Sequence, residues 1–160
     1  MDSTRLRHVK KDFETWYSFD QQRIEKAPRE KGVYVIRQVA EKSFGRLQGQ
    51  SDIFYIGSTT SKGELRQRLI QYLHPAPTQW TNQRINESLK KYQMEVAWCP
   101  CRVPVNLEHD LLRQYLNDHD ELPPFNHAGI RRVLTSAATN IRLNGKANVI
   151  PTIPTKCKPA

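Results

Sequence analysis

Residues 53–58 read IFYIGS and residues 32–36 read GVYVI. Each is a short apolar run with β-branched residues and one tyrosine at its centre, the composition of a strand. The runs predict strands over about 32–39 and 53–57. Between them lies AEKSFGRLQGQSD (40–52), polar and glycine-containing, which reads as a long hairpin loop. A tyrosine inside each of two neighbouring strands admits two explanations. One is cross-strand aromatic packing, worth about 0.2–1 kcal/mol. The other is a pair of phenols facing one phosphate. The rest of the chain has to choose.

Working outward, Leu6, Val9, Phe13, Trp16 and Tyr17 recur at helical spacing, so an amphipathic helix is expected over 4–17. APREKG (27–32) breaks it and turns into the first strand. After the second strand, Leu65, Leu69, Tyr72 and Leu73 fall on one face of a predicted helix. HPAP (74–77) stops it, because proline lacks a backbone donor and biases its predecessor away from helix. A further helix is expected over 79–91, with Ile85 and Leu89 inward, and MEVAWCP (94–100) reads as a third strand. Pro104 suits the start of a helix over about 105–118, with Leu107, Leu111, Leu112, Tyr115 and Leu116 inward. ELPPFN (121–126) ends that helix. Residues 130–143 read as helix or strand, and NVIPTIPTKCKPA (148–160) as extended or loose. The order predicts a mixed α/β (α+β) domain on a small central three-stranded mixed or antiparallel sheet flanked by helices. The expected division is an N-terminal helical extension (1–30), a central domain (31–127) and a basic C-terminal extension (128–160).

Charge supplies the first functional clue. Lysines and arginines number 25 against 16 acidic residues, a formal net charge of +9. No acidic residue follows Glu121, yet Arg131, Arg132, Arg142, Lys146, Lys156 and Lys158 do. A polyanion partner is the natural reading, nucleic acid first among them. The N-terminus MDSTRLRHVKKDF lacks an apolar signal core, and no stretch approaches a membrane span, so a cytoplasmic protein without a membrane partner is expected. Three cysteines, an odd count without framework spacing, argue against a disulfide-stapled secreted fold. WCPCR (98–102) has one residue between its cysteines, where a zinc knuckle has two.

Taken together, Gly32-Val33-Tyr34, Tyr55-Ile56-Gly57, Leu65-x-x-Arg68-Leu69-x-x-Tyr72, the helical Leu107-Glu108 and Leu122-Pro123-Pro124-x-Asn126 form an ordered set. In order and spacing this set resembles the GIY-YIG nuclease family over residues 31–127. The first tripeptide is Gly-Val-Tyr rather than Gly-Ile-Tyr, and the loop between the signature strands is longer than usual. The resemblance implies a magnesium-dependent endonuclease, with manganese able to substitute, that hydrolyses DNA by a one-metal mechanism and leaves 5′-phosphate and 3′-hydroxyl ends.

Each residue has a functional and a plain structural reading. Glu108 is implied as the metal ligand, since magnesium takes oxygen ligands and keeps several waters. Alone, it would read as a solvated glutamate favoured by the helix dipole. Arg68 is implied as the phosphate clamp, its fork able to hold two oxygens. Its plain alternative is an ion pair with Glu64 one turn back. Arg66 is its rival and reads as a DNA-backbone contact. Tyr34 is implied as general base, with Tyr55 the alternative. A phenol titrates near pH ~10, so the base role requires a pKa depressed by metal and arginine. Tyr72 shares the helical face of Arg68, as a phosphate contact or as a core tyrosine. Gly57 permits close backbone approach. Ser58 is expected to bond phosphate or a loop amide, and Asn126 to tie a loop to the site. His74 and His127 stand as candidate substrate contacts, and Arg131 and Arg132 as nucleic-acid contacts.

No aspartate cluster, paired carboxylates, phosphate-binding loop or HEXXH accompanies the set, so an enzymatic reading rests on this one constellation. Without helix-turn-helix or zinc-finger spacing, the substrate stays open between duplex DNA in a restriction-like reaction and single-stranded or structured DNA. Exposed aromatics such as Trp80 or Phe125 would suit stacking on single strands. Cutting both strands of a duplex would favour a homodimer over a monomer. The competing reading is a catalytically inactive nucleic-acid-binding module of the same fold.

Overall fold

The structure, a computed structural model, describes residues 13, 15–39, 42–59 and 62–126. Its elements in chain order are β1 (Tyr17–Ser18), α1 (Gln21–Ile24), β2 (Gly32–Gln38), β3 (Phe44–Gly45), β4 (Gln50–Ser51), β5 (Ile53–Ser58), α2 (Leu65–Leu73), α3 (Trp80–Lys91), β6 (Met94–Pro100) and α4 (Pro104–His119). They build a mixed α+β fold on an antiparallel sheet of order β1-β6-β2-β5.

The central strand is β2, whose first six residues, Gly32–Arg37, are all buried. A strand flanked on both sides and covered on both faces has no solvent face, which is why GVYVI shows no polar alternation. Odd positions Val33 and Val35 point to α4, joining Ile56 of β5, Ala97 of β6 and Leu111 and Leu112 of α4. Even positions Tyr34 and Ile36 point the other way, joining Leu65, Leu69 and Tyr72 of α2, Ile85 of α3 and Val96 of β6. A register shift against Ile36 and Arg37 leaves Phe54 as an extra residue of β5. The bulge lets the consecutive Phe54 and Tyr55 both pack on the α2–α3 layer.

The sheet has four strands where three were expected. Tyr17 pairs with Val96 of β6 and its ring stacks flat on Trp98, centroids 4.3 Å apart. That stack and the strand hydrogen bonds place Tyr17 at the sheet edge rather than on the expected helix; residues 4–12 and 14 lie outside the described residues. The chain that follows is built into the core: Phe19, Ile24 and Ala27 are buried with Tyr34 and Tyr72. Residues 42–52 also hold more order than the plain loop expected there. β3 and β4 pair, and Arg46 bonds the Glu121 carboxylate (2.8 Å) and the Leu122 carbonyl (2.5 Å) beyond α4.

The remaining helices match the spacing argument. Ile85 is buried on α3 and Leu89 packs partly against the same core. Pro104 opens α4, and Asp120, in the left-handed region at φ 57°, closes it by donating its N–H to the Leu116 carbonyl. Among the described residues no helix is long and apolar enough to cross a membrane.

Candidate functional site

The start of β2 and the end of β5 run side by side at one end of the sheet. In that register Tyr34 lies opposite Gly57. A Cβ at Gly57 would fall 2.6 Å from the Tyr34 hydroxyl oxygen and 2.6 Å from a ring carbon of Tyr55. The bare glycine therefore makes the space in which the two phenols stand. Gly32 plays a similar role at the start of β2, where a Cβ would collide with the Cys99 carbonyl oxygen and meet the Leu65 side chain at 2.7 Å.

Helix α2 delivers two further groups from above. Its first N–H groups find partners in the preceding turn, Leu65 N–H to the Glu30 carbonyl (2.8 Å) and Arg66 N–H to the Pro28 carbonyl (3.3 Å). So held, the helix points Arg68 and Tyr72 at the tyrosine pair. The Tyr34 and Tyr72 hydroxyls are 2.6 Å apart, and Arg68 Nε donates to the Tyr34 oxygen at 3.3 Å. The guanidinium also lies over the Tyr72 ring, 4.9 Å from its centroid, and donates to Gln71 Oε1 at 2.9 Å. The three rings of Tyr34, Tyr55 and Tyr72 stand 5.9–6.2 Å apart by centroid. Tyr34 and Tyr72 have no exposed surface, while Tyr55 is half-buried.

Burial sets the electrostatics. It pushes the Tyr34 hydroxyl well above the ordinary phenol range, with Tyr55 adding to the rise, and Arg68 offsets only part of it. Tyr55 and Tyr72 are raised for the same first reason. Burial works against the Arg68 charge, but the phenols around it more than compensate and raise its pKa. At neutral pH the cluster therefore holds three neutral phenols around a fixed cation. A pre-ionised base, expected of Tyr34, is not what the protein alone provides.

Glu108 comes from the opposite layer. α4 packs on the other face of the sheet, but β5 is an outer strand, so both layers reach its edge. Ser58, the last residue of β5, donates its hydroxyl to Glu108 Oε2. Glu108 is half-buried, and its charge is felt at Tyr55 as a contribution raising the phenol pKa. A cleft of about 410 Å³ opens beside these groups, lined by Ser58, Thr59, Lys62, Glu64, Gln67, Arg68 and Gln71. Among the described residues no group of three histidine, cysteine, aspartate or glutamate side chains could hold a metal ion. The donors at the site are a carboxylate, a hydroxyl and phenols. Such an oxygen-only set fits a hard divalent cation that keeps most of its shell as water and substrate oxygens.

Thus Tyr34, Tyr55, Gly57, Ser58, Arg68, Tyr72 and Glu108 come together. Others do not. Arg66 Nε donates to the Ala27 carbonyl at 2.8 Å, tying α2 to the turn after α1. His74 is exposed at the far end of α2, 3.3 Å from Gln21 Oε1. Asn126 is buried and spends its amide on one residue of β5: Ile56 N–H donates to Oδ1 (3.0 Å), and Nδ2 donates to the Ile56 carbonyl (2.7 Å). It braces the strand that carries Tyr55. His127, Arg131 and Arg132 lie outside the described residues. Sequence reading passed over Gln71 and Thr59. Gln71 follows Arg68 by three positions on one helix, a detectable signal. The Thr59 hydroxyl accepts the Gly32 N–H at 3.0 Å, a contact across 27 positions that no local pattern announces.

Compared with protein-family models, curated proteins and solved structures, the chain matches none.

Proposed function

We propose that the chain is a DNA endonuclease of the GIY-YIG type, acting in the cytoplasm with magnesium or manganese. One observation carries the reading: the cluster of Tyr34, Tyr55, Tyr72 and Arg68 stands at the end of β5 where Ser58 holds Glu108, beside an open polar cleft lined by Ser58 and Arg68. Phosphodiester hydrolysis needs a cation for the phosphate charge, an acceptor for the water proton and a carboxylate for a metal. Those three kinds of group are here.

Arg68 binds the scissile phosphate and stays charged throughout, its raised pKa serving that role. Tyr34 and Tyr72 hold the guanidinium in place, through the Tyr34 oxygen and the Tyr72 ring. Tyr55, the one of the three phenols with solvent access, is better placed than the fully buried Tyr34 to give up its own proton to solvent first and then, as phenolate, to accept the proton of attacking water. Glu108 would hold the cation, which when bound supplies charge neutralisation at the phosphate and leaving oxygen.

The test is cleavage of labelled single- and double-stranded DNA with magnesium. Wild type is expected to cut. Glu108→Ala is expected to bind without cutting, and Arg68→Ala to lose about 10²–10³ in rate. Salt-sensitive binding by both wild type and Glu108→Ala, with no cutting of DNA, RNA or branched substrates, would instead establish the inactive binding module. The same gel identifies the strand state, and size exclusion on DNA separates monomer from homodimer.

A further inference from the structure

We propose that Ser58 is a positioning residue for Glu108, and that its hydroxyl sets the affinity of that carboxylate for a hard divalent cation. This rests on the nuclease reading above. Among the described residues Ser58 is the one hydrogen-bond partner of the Glu108 side chain. Glu108 is half-buried on a helix, with three side-chain torsions that must be fixed before it can hold an ion, at a cost in rotamer entropy. Ser58 stands on firmer ground. It pairs with Val33 of the central strand, and its neighbour Thr59 is buried and locked to Gly32 from both sides, N–H to carbonyl at 2.9 Å and N–H to hydroxyl at 3.0 Å.

A strand-borne donor therefore aims a helix-borne acceptor. The hydroxyl engages Oε2 and leaves Oε1 for an ion. Groups that orient a metal ligand in this way change metal affinity by about 10–100-fold. The arrangement also reassigns Ser58 itself. A hydroxyl that donates to Glu108 has no proton left to donate to phosphate, so its effect on the reaction runs through the carboxylate.

Manganese alone, titrated into the full chain with free ion counted by electron paramagnetic resonance, tests this without nucleic acid or turnover. Ser58→Ala should weaken Mn²⁺ binding about 10–100-fold while its thermal unfolding stays near that of wild type. Ser58→Thr and Ser58→Val repeat the comparison at matched volume: threonine should bind as wild type does, valine as alanine does. Ser58→Ala or Ser58→Val binding as tightly as the hydroxyl-bearing chains, with Glu108→Gln weakened, overturns the positioning role and leaves the nuclease reading standing. Equal binding by wild type and Glu108→Gln, or none by wild type, overturns the positioning role, and the DNA cleavage test above then decides the nuclease reading by itself.

Discussion

The two faces of β2 do different work with alternate residues of one strand. Val33 and Val35 meet a layer from β5, β6 and α4 dominated by the aliphatic side chains of Ile53, Ile56, Ala97, Leu111 and Leu112. Tyr34, between them, meets a layer where Tyr72, Tyr55 and Arg68 bring polar atoms into a site with no exposed surface on Tyr34 at all. Burying a hydroxyl or a guanidinium is costly unless its partners are supplied, and here each supplies the other. The comparison teaches that the apolar face can be repacked within limits of volume, whereas the polar face succeeds or fails as a set.

That contrast can be broken by substitution. Ile56→Ala, on the aliphatic side, should cost about 2–5 kcal/mol in chemical unfolding yet leave the phenol cluster assembled. Gly57→Ala, which intrudes on the polar side, should cost less, about 1–3 kcal/mol, while abolishing cleavage, because the new methyl crowds the Tyr34 hydroxyl and the Tyr55 ring out of their places. If Gly57→Ala cuts normally, the phenols are not where the reaction happens. Asn126→Ala strands the buried N–H and carbonyl of Ile56 and should cost about 1–3 kcal/mol, read in the same denaturant titration. Tyr34→Phe keeps the ring and removes the oxygen shared by Arg68 and Tyr72, for about 1 kcal/mol of stability and a larger loss of rate.

The smallest effect at neutral pH is electrostatic. Tyr34, Tyr55 and Tyr72 have folded-state pKa values raised above the ordinary 10.0. A raised pKa stabilises the fold fully below the unfolded value and loses that contribution as pH climbs through the folded one. Stability should therefore be level across neutral pH with respect to these groups and fall above about pH 10. On the proposed nuclease reading, a phenolate base would make the log of the magnesium-dependent cleavage rate climb with pH well past neutrality; a flat profile from pH 7 to 9 would remove the phenols from the proton transfer.

Much of this was legible beforehand because it is local. The strands 32–38, 53–58 and 94–100 are mostly apolar segments interrupted by Arg37, Gln38, Ser58 and Glu95, and Leu65, Leu69 and Tyr72 mark a helix face by spacing alone. Proximity of Tyr34, Tyr55, Arg68 and Tyr72 was expected from the resemblance of the ordered motifs, not from the local elements alone. What escaped depends on contacts between distant stretches of the chain. Phe13, Trp16 and Tyr17 carry helical spacing, yet the Trp98 face draws Tyr17 into an edge strand and the Arg37 guanidinium draws the Trp16 ring to 3.8 Å. Ser58 and Glu108 lie 50 positions apart and on different layers, so no spacing rule could pair them. Arg66 had the composition of a DNA contact, but its carbonyl partner is visible only once the turn at Ala27 is folded against α2.

The amide of Asn126 has one more consequence. β5 is the outermost strand on its side of the sheet, and such a strand offers its free backbone groups to any passing chain. Asn126 occupies both groups of Ile56, and Phe125 N–H takes the Phe54 carbonyl at 3.1 Å. The segment after α4 thus serves as a guard rail. It keeps the strand that carries Tyr55 from recruiting a neighbour's strand, so a site can stand at the sheet's open margin without turning that margin into a seed for aggregation.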